Sequence, residues 1–293
     1  MNETANKSQH TYKKNSQWKE IFKRLSKNRM AVIGLVIITI VSLAAIFADI
    51  IAPYGYDAQN LKQSFLPPCR EYILGTDNLG RDTFSRIIYG ARVSLVIGLS
   101  SALFSAFTGT LTGAISGYYG GRVDNTIMRI LDVFMAIPSV LLAIAIAAGL
   151  GSGMFSCIAA IGISHTPGVA RIVRASFLSE KSKEYIEAAH SINATDMRVI
   201  FRHILPNTIS PLIVKFTLEV AMGILMAASM SFLGIGIKAP TPEWGAMLSA
   251  GRPFIRDYPS LVVFPGIAIM VTLLSLNLLG DGLRDAMDPR LKD

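Results

Sequence analysis

Few side chains in this sequence could do chemistry of their own: it has four histidines and two cysteines in 293 residues. A hydrolytic zinc site would need His-Glu-x-x-His, and a structural one paired cysteines; neither motif occurs. Cys69 falls in a loop and Cys157 in an apolar helix, so no disulfide or metal framework is expected. A nucleotide cradle would need Gly-x-x-x-x-Gly-Lys-Ser/Thr. The glycine-rich turn "GYYGGRVDN" (Gly117–Asn125) has no strand before it and no Gly-Lys-Ser/Thr after it. What remains is "EYIEAAHSINATDMRVIFRHILPN", Glu184–Asn207, a charged, helix-patterned insert between two apolar segments. Tyr185, Ile186, Ala189 and Ile192 can share one helical face, with Glu184, Glu187 and His190 opposite. Ala188 and Ala189 add almost no bulk, so a partner's surface can come close to the backbone. Asn193 tolerates the left-handed conformation that ends a helix, and a second short helix is expected from about residue 194 or 195 to Ile204. Pro206 then starts the next apolar segment. The pattern suits a mechanical contact, not a reaction.

The elements that must hold this insert are set by composition. Hydrophobic residues make up 51% of the chain and charged ones only 16%, well below the charged share of an ordinary soluble domain. Apolar runs of about 18 residues or more are long enough to cross the hydrocarbon layer as helices. Six such crossings are expected, at roughly 30–52, 92–118, 124–149, 154–173, 207–237 and 258–282, giving an all-α membrane protein. They form one transmembrane domain, 30–293, behind a basic leader, 1–29. "GLGSGM" (Gly149–Met154) splits an apolar stretch too long for one crossing, and Pro138 should kink the third helix. Gly109, Gly113 and Gly117 recur every four residues, the spacing that lets two helices approach closely.

The net charge of +8 could suggest nucleic acid until the basic residues are located. With the N-terminus inside, twenty of the 28 Lys and Arg fall on the inner side and eight on the outer. That is the bias that orients membrane proteins, so no nucleic-acid partner is expected. Inside are the leader residues Lys7–Arg29, the insert, and the tail with Arg284, Arg290 and Lys292; both termini are expected in the cytoplasm. The first apolar run exceeds an ordinary signal-peptide core and follows a long polar leader, so it should stay as an anchor. Trp18–Arg29 can lie as an amphipathic helix on the inner surface.

The outside loop, 53–91, is the longest connection. Within it Asp77-Asn78-Leu79-Gly80 reads as a turn and Asp82 as a helix cap, with binding of an outside partner the sharper alternative. "KAPTPEWGAMLSAGRPFIRDYP" (Lys238–Pro259) reads as a partly buried re-entrant piece. Asp132 and Glu219 are expected near inner helix ends, paired with Arg129 and Lys215. A proton-coupled carrier would need an acidic residue near mid-membrane, and none is expected. A membrane enzyme would need a catalytic constellation that is missing.

The insert resembles the cytoplasmic Glu-Ala-Ala motif of binding-protein-dependent ABC importer permeases, in which a glycine follows four residues on and Ile-Leu-Pro later; here Asn193 stands for the glycine. "LGTDNLGRDTFSRIIYGARVSL", "GYYGGRVDNTIMRILDVFMAIP", "SFLGIGIKAPTPEWGAML" and "NLLGDGLRDAMDPRL" are similar to the second permease subunit of dipeptide, oligopeptide and nickel importers. The resemblance implies a type I permease fold in a bacterial inner membrane and a loop, 174–206, that carries a coupling helix. It implies a homologous permease as heterodimer partner, two ATPase subunits that bind the ATP, a solute-binding protein outside, and no cofactor or catalytic residue on this chain. The coupling residues would be Glu187, Ala188, Ala189, Asn193, Leu205 and Pro206. The cargo would be a dipeptide or oligopeptide, with nickel or a metal chelate as the alternative.

Overall fold

The computed structural model describes residues 17–287, so the basic residues expected inside at Lys7, Lys13, Lys14, Arg290 and Lys292 lie outside the described residues. Helix α1 (Gln17–Lys27) buries Leu25 against Ala31 and Ala286 and leaves Phe22 exposed beside Lys23. Asn28 then caps α2 (Arg29–Ile46), its side chain accepting from the backbone N–H groups of Met30 and Ala31 at 3.1 and 3.2 Å. After a break at Phe47, α3 (Ala48–Ile51) completes the first expected crossing.

The loop after α3, expected outside, is built around Asp77. Its carboxylate accepts from the N–H groups of Leu79 and Arg81 and from Arg81 Nε at 2.7 Å, with Arg86 Nε at 3.6 Å. The turn closes on Gly80, at φ +68°, where a Cβ would lie 1.8 Å from the Asn60 carbonyl oxygen. Asp82 caps the next helix by accepting from the backbone N–H and hydroxyl of Ser85 at 2.7 and 2.6 Å. Turn and cap are thus what both aspartates do here. That cap sets the start of α4 (Thr83–Tyr119) well before the apolar run that the crossing was expected to begin with, at residue 92. Arg86, Tyr89 and Arg92 ride its first turns and tie back to Tyr56, Asp49 and the end of α2.

Gly120 ends α4, and α5 (Gly121–Met135) leads to Pro138 and α6 (Ser139–Leu150). The expected kink is a full break: the two halves bend by 89°, because the proline ring excludes a continuing helix and residues 136–138 leave it. Glycine-rich residues 151–153 connect to α7 (Met154–Lys181), which extends past the expected limit of 173 into the polar insert. There follow α8 (Glu184–Ser191), α9 (Asp196–Arg198), a π-helical turn (Val199–Ile204), α10 (Leu205–Asn207) and α11 (Ile209–Phe232). Helices α12 (Trp244–Gly251) and α13 (Ser260–Met287) follow, the last of the described elements. Among the described residues five helices are long and apolar enough to cross a membrane, and the bent α5–α6 pair makes a sixth crossing if counted as one span.

Small residues set the packing. Gly109, Gly113 and Gly117 of α4 lie against α7, where a Cβ at Gly113 would come within 2.4 Å of the Ala170 carbonyl oxygen. Helix α11 packs between α4 and α13, and α2 lies on α13. As expected, the segment is partly buried: Trp244 of α12 is 1% exposed and donates from Nε1 to the Ile87 carbonyl at 3.0 Å. Glu243 caps it, accepting from the N–H groups of Gly245 and Ala246 while Ser94 donates from α4. A fully buried carboxylate is tolerable because those donors surround it.

Candidate functional site

The insert folds as a helix, a sharp turn and a second helix. Helix α8 ends at Ser191, and Asn193, just past its cap, stands at φ +53°. Asn193 N–H donates to the His190 carbonyl at 2.9 Å and Ala194 N–H to the Ala189 carbonyl at 3.1 Å, the paired bonds of a Schellman turn. Asparagine holds here the left-handed conformation that glycine holds most cheaply. Beyond the turn the chain is helical from Asp196 to Asn207, through the π-helical turn. Pro206 has no N–H to give four residues back, and the ladder widens just before it.

Contacts beneath the insert fix it to the membrane helices. Ile186 and Ala189 are buried with Val199, Ile200 and Ile204 against Val173 and Phe177 of α7. Tyr118, at the end of α4, donates its hydroxyl to Asp196 at 2.7 Å, while Lys181 donates to the Tyr118 carbonyl at 2.6 Å. Arg174 grips Asp124 of α5 through both carboxylate oxygens, and Ser116 also donates to that carboxylate. On α8, Tyr185 donates to Glu180 and accepts from Asn207. Burial, reinforced by that carboxylate, pushes the Tyr185 hydroxyl above its ordinary pKa, so it remains a donor.

Two expectations about the helix faces change. Ala189 is not at the outer surface: three residues after Ile186, it shares the inward face and is packed into the core. Ile192 leaves the Ile186–Ala189 face because the turn begins there, and it is 79% exposed. The outward surface therefore consists of Glu184, Glu187, Ala188 and His190, continued by the exposed Ile192, Met197 and Phe201. Leu205 is half-buried against the core below, and Pro206 is exposed at the exit toward α11.

The ionisable groups of the membrane helices also pair differently from expectation. Asp132 pairs with Arg171 of α7 at 2.5 Å, not with Arg129. Glu219 does pair with Lys215, at 2.5 Å, but near the middle of α11 and not at its end. Its other oxygen meets His165 Nδ1 of α7. His165 was missed because a lone histidine in an apolar run carries no partner within reach of sequence spacing; only the α7–α11 contact brings one.

The sequence matches the family described as binding-protein-dependent transport system inner membrane component over residues 109–293. The chain belongs to that family. A second match, to the N-terminal transmembrane domain of oligopeptide transport permease C, covers residues 16–68 of the permease. The permease is 46% identical to the dipeptide transport system permease protein DppC of Alkalihalophilus pseudofirmus over 277 residues, 94% of this chain and 91% of that one. It is also 46% identical to the glutathione transport system permease protein GsiD of Escherichia coli over 279 residues, with the same coverage. Among solved structures it is similar to the MetNI methionine ABC transporter in inward-facing conformations, with a TM-score of 0.57 at 17% identity over 69% of this chain and 97% of that one. An amino acid ABC transporter with histidines gives 0.54 at 15% identity, covering 69% and 94%. The permease has the type I ABC importer fold and is a multi-pass inner-membrane protein.

Proposed function

We propose that this permease forms one half of the translocation pathway of an ATP-driven importer of short peptides. The observation that carries the reading is the 46% identity, along 94% of the chain, to permeases named for dipeptides and for glutathione, itself a tripeptide. Nickel, the alternative, is not favoured by these relatives. The other half is a homologous permease, giving a heterodimer; a solute-binding protein delivers the cargo outside, and two ATPase subunits bind and split the ATP. The chain itself needs no cofactor.

Helix α8 is the coupling helix in this reading, on the cytoplasmic side with both termini. Glu187 and Ala188 contact an ATPase groove, and Ala189 anchors the helix from below. Asn193 makes the elbow, and Leu205 with Pro206 passes its displacement to α11. The basic residues on this side, including Arg171, Arg174, Lys181 and Lys183, support the orientation.

Reconstitution in lipid vesicles tests the function. With its permease partner, two ATPases and a loaded binding protein, the chain should accumulate dipeptide only when ATP is supplied. Accumulation by the chain alone, or nickel uptake without peptide uptake by the full assembly, would overturn the reading.

A further inference from the structure

Three charged or polar side chains meet where α7 and α11 pack together: His165, Lys215 and Glu219. The Glu219 and His165 side chains are 6% and 9% exposed, but that of Lys215 is 29% exposed. All three border a cavity that reaches the α5–α6 break, where Phe134, Ile137 and Pro138 form the wall, with Met222 of α11 opposite. Near it lies the ion pair Asp132–Arg171, with side chains 53% and 49% exposed.

Such groups cannot face hydrocarbon cheaply. The outward stripe of α4, by contrast, is apolar: Leu99, Leu103, Phe107 and Leu111 are exposed at four-residue intervals. The charged side of the chain must therefore meet water or a polar protein surface. Packing alone is a poor account of the cluster, since an apolar trio of the same volume would be at least as stable. An ammonium group has three donors, and among the described residues Lys215 pairs with Glu219 alone, so donors remain for the cavity.

We propose that this cavity is a binding site on the translocation pathway for an organic carboxylate, the free C-terminus of the passing peptide, with Lys215 as its ligand. The assignment deepens the peptide-import reading and rests on it. Lys215 donates to the carboxylate; Glu219, held in turn by His165, is a positioning residue that keeps the ammonium at the cavity wall. The C-terminal carboxylate is the one anion that every unmodified peptide carries, whatever its side chains. The apolar surfaces of Phe134, Ile137 and Met222 place no polar demand on those side chains.

The test uses the full importer in vesicles and two dipeptides that differ only in a free or an amidated C-terminus. Uptake is divided by the fraction of each peptide held by the binding protein, so that delivery is removed from the comparison. The wild-type assembly should move the free peptide about tenfold faster, the scale of one charge-assisted hydrogen bond. Lys215→Gln should bring the free peptide down to the amidated rate, and Lys215→Arg should restore most of the difference. Equal normalised rates in the wild type would overturn the site while leaving peptide import standing, whether or not the variants assemble. Loss of both peptides to the same degree in Lys215→Gln, with no recovery in Lys215→Arg, would assign the lysine to structure alone. Failure of the wild-type assembly to move either peptide with ATP would overturn both the site and the function it rests on.

Discussion

Two neighbouring alanines on α8 have opposite duties. Ala188 is exposed and Ala189 is buried beside Ile186 and Phe177. A tryptophan at the first should leave the fold intact and obstruct whatever seats on the helix; at the second it should overpack the core by about 1–3 kcal/mol. Ala188→Trp is therefore expected at normal abundance in the membrane but without bound ATPase and without uptake, measured by co-purification and transport. Ala189→Trp is expected to lower the amount of folded permease. Normal ATPase binding in Ala188→Trp would contradict the docking role. Asn193 shows what residue types alone could disclose: its tolerance of positive φ was readable, and it stands at +53°. That Ala189 shares the face of Ile186 was readable from spacing, but that this face packs on α7 and is closed to a partner was not.

At the scale of elements, the seam between α4 and α7 has the tightest tolerance. Each glycine at 109, 113 and 117 faces an atom of α7 that a Cβ would meet at 2.6 Å or closer, or, at Gly117, at 2.7 Å from Phe177 Cβ. Gly113→Leu should push the helices apart and cost about 1–3 kcal/mol or more, seen as a lower melting temperature in detergent. Gly149→Ala, which meets nothing within 4 Å, is the control expected to melt as the wild type does. An unchanged melting point in Gly113→Leu would show that the seam is slack. The spacing of these glycines announced close packing, and long apolar runs announced most of the crossings. The cap at Asp82 that starts α4 was readable, but its unbroken run into the crossing was not, because the first turns carry Arg86 and Arg92, which an apolar-run criterion rejects. The depth of the break at Pro138 was hidden as well: a proline in an apolar run says that the helix is disturbed, while the bend angle is decided by what the two halves pack against.

For the whole molecule, the orientation in the membrane decides which partner meets which loop. Ser191→Cys is exposed on the insert and is expected to react with a membrane-impermeant thiol reagent only after cells are opened, and to crosslink to an ATPase subunit in the assembled importer. Labelling from outside intact cells would invert the arrangement. The cysteine already exposed at position 69, on the opposite loop, supplies the contrary control. The fold class, the order of its parts and the inserted elbow were available from the chain's composition and motifs. The meeting of His165, Lys215 and Glu219 was not, because it joins residues from two helices whose facing sides no local pattern specifies.

Helix α4 runs without a proline for 37 residues, about 55 Å, against a hydrocarbon layer of about 30 Å. Its N-terminal end is tied to the preceding loop by Arg86, which donates to the Tyr56 carbonyl, and its C-terminal end to the insert by Tyr118. A stiff rod fastened at both ends has no independent halves. Any tilt imposed at one end swings the far tip the opposite way, as an oar's blade answers its handle, without a chain of intermediate rearrangements to carry the message.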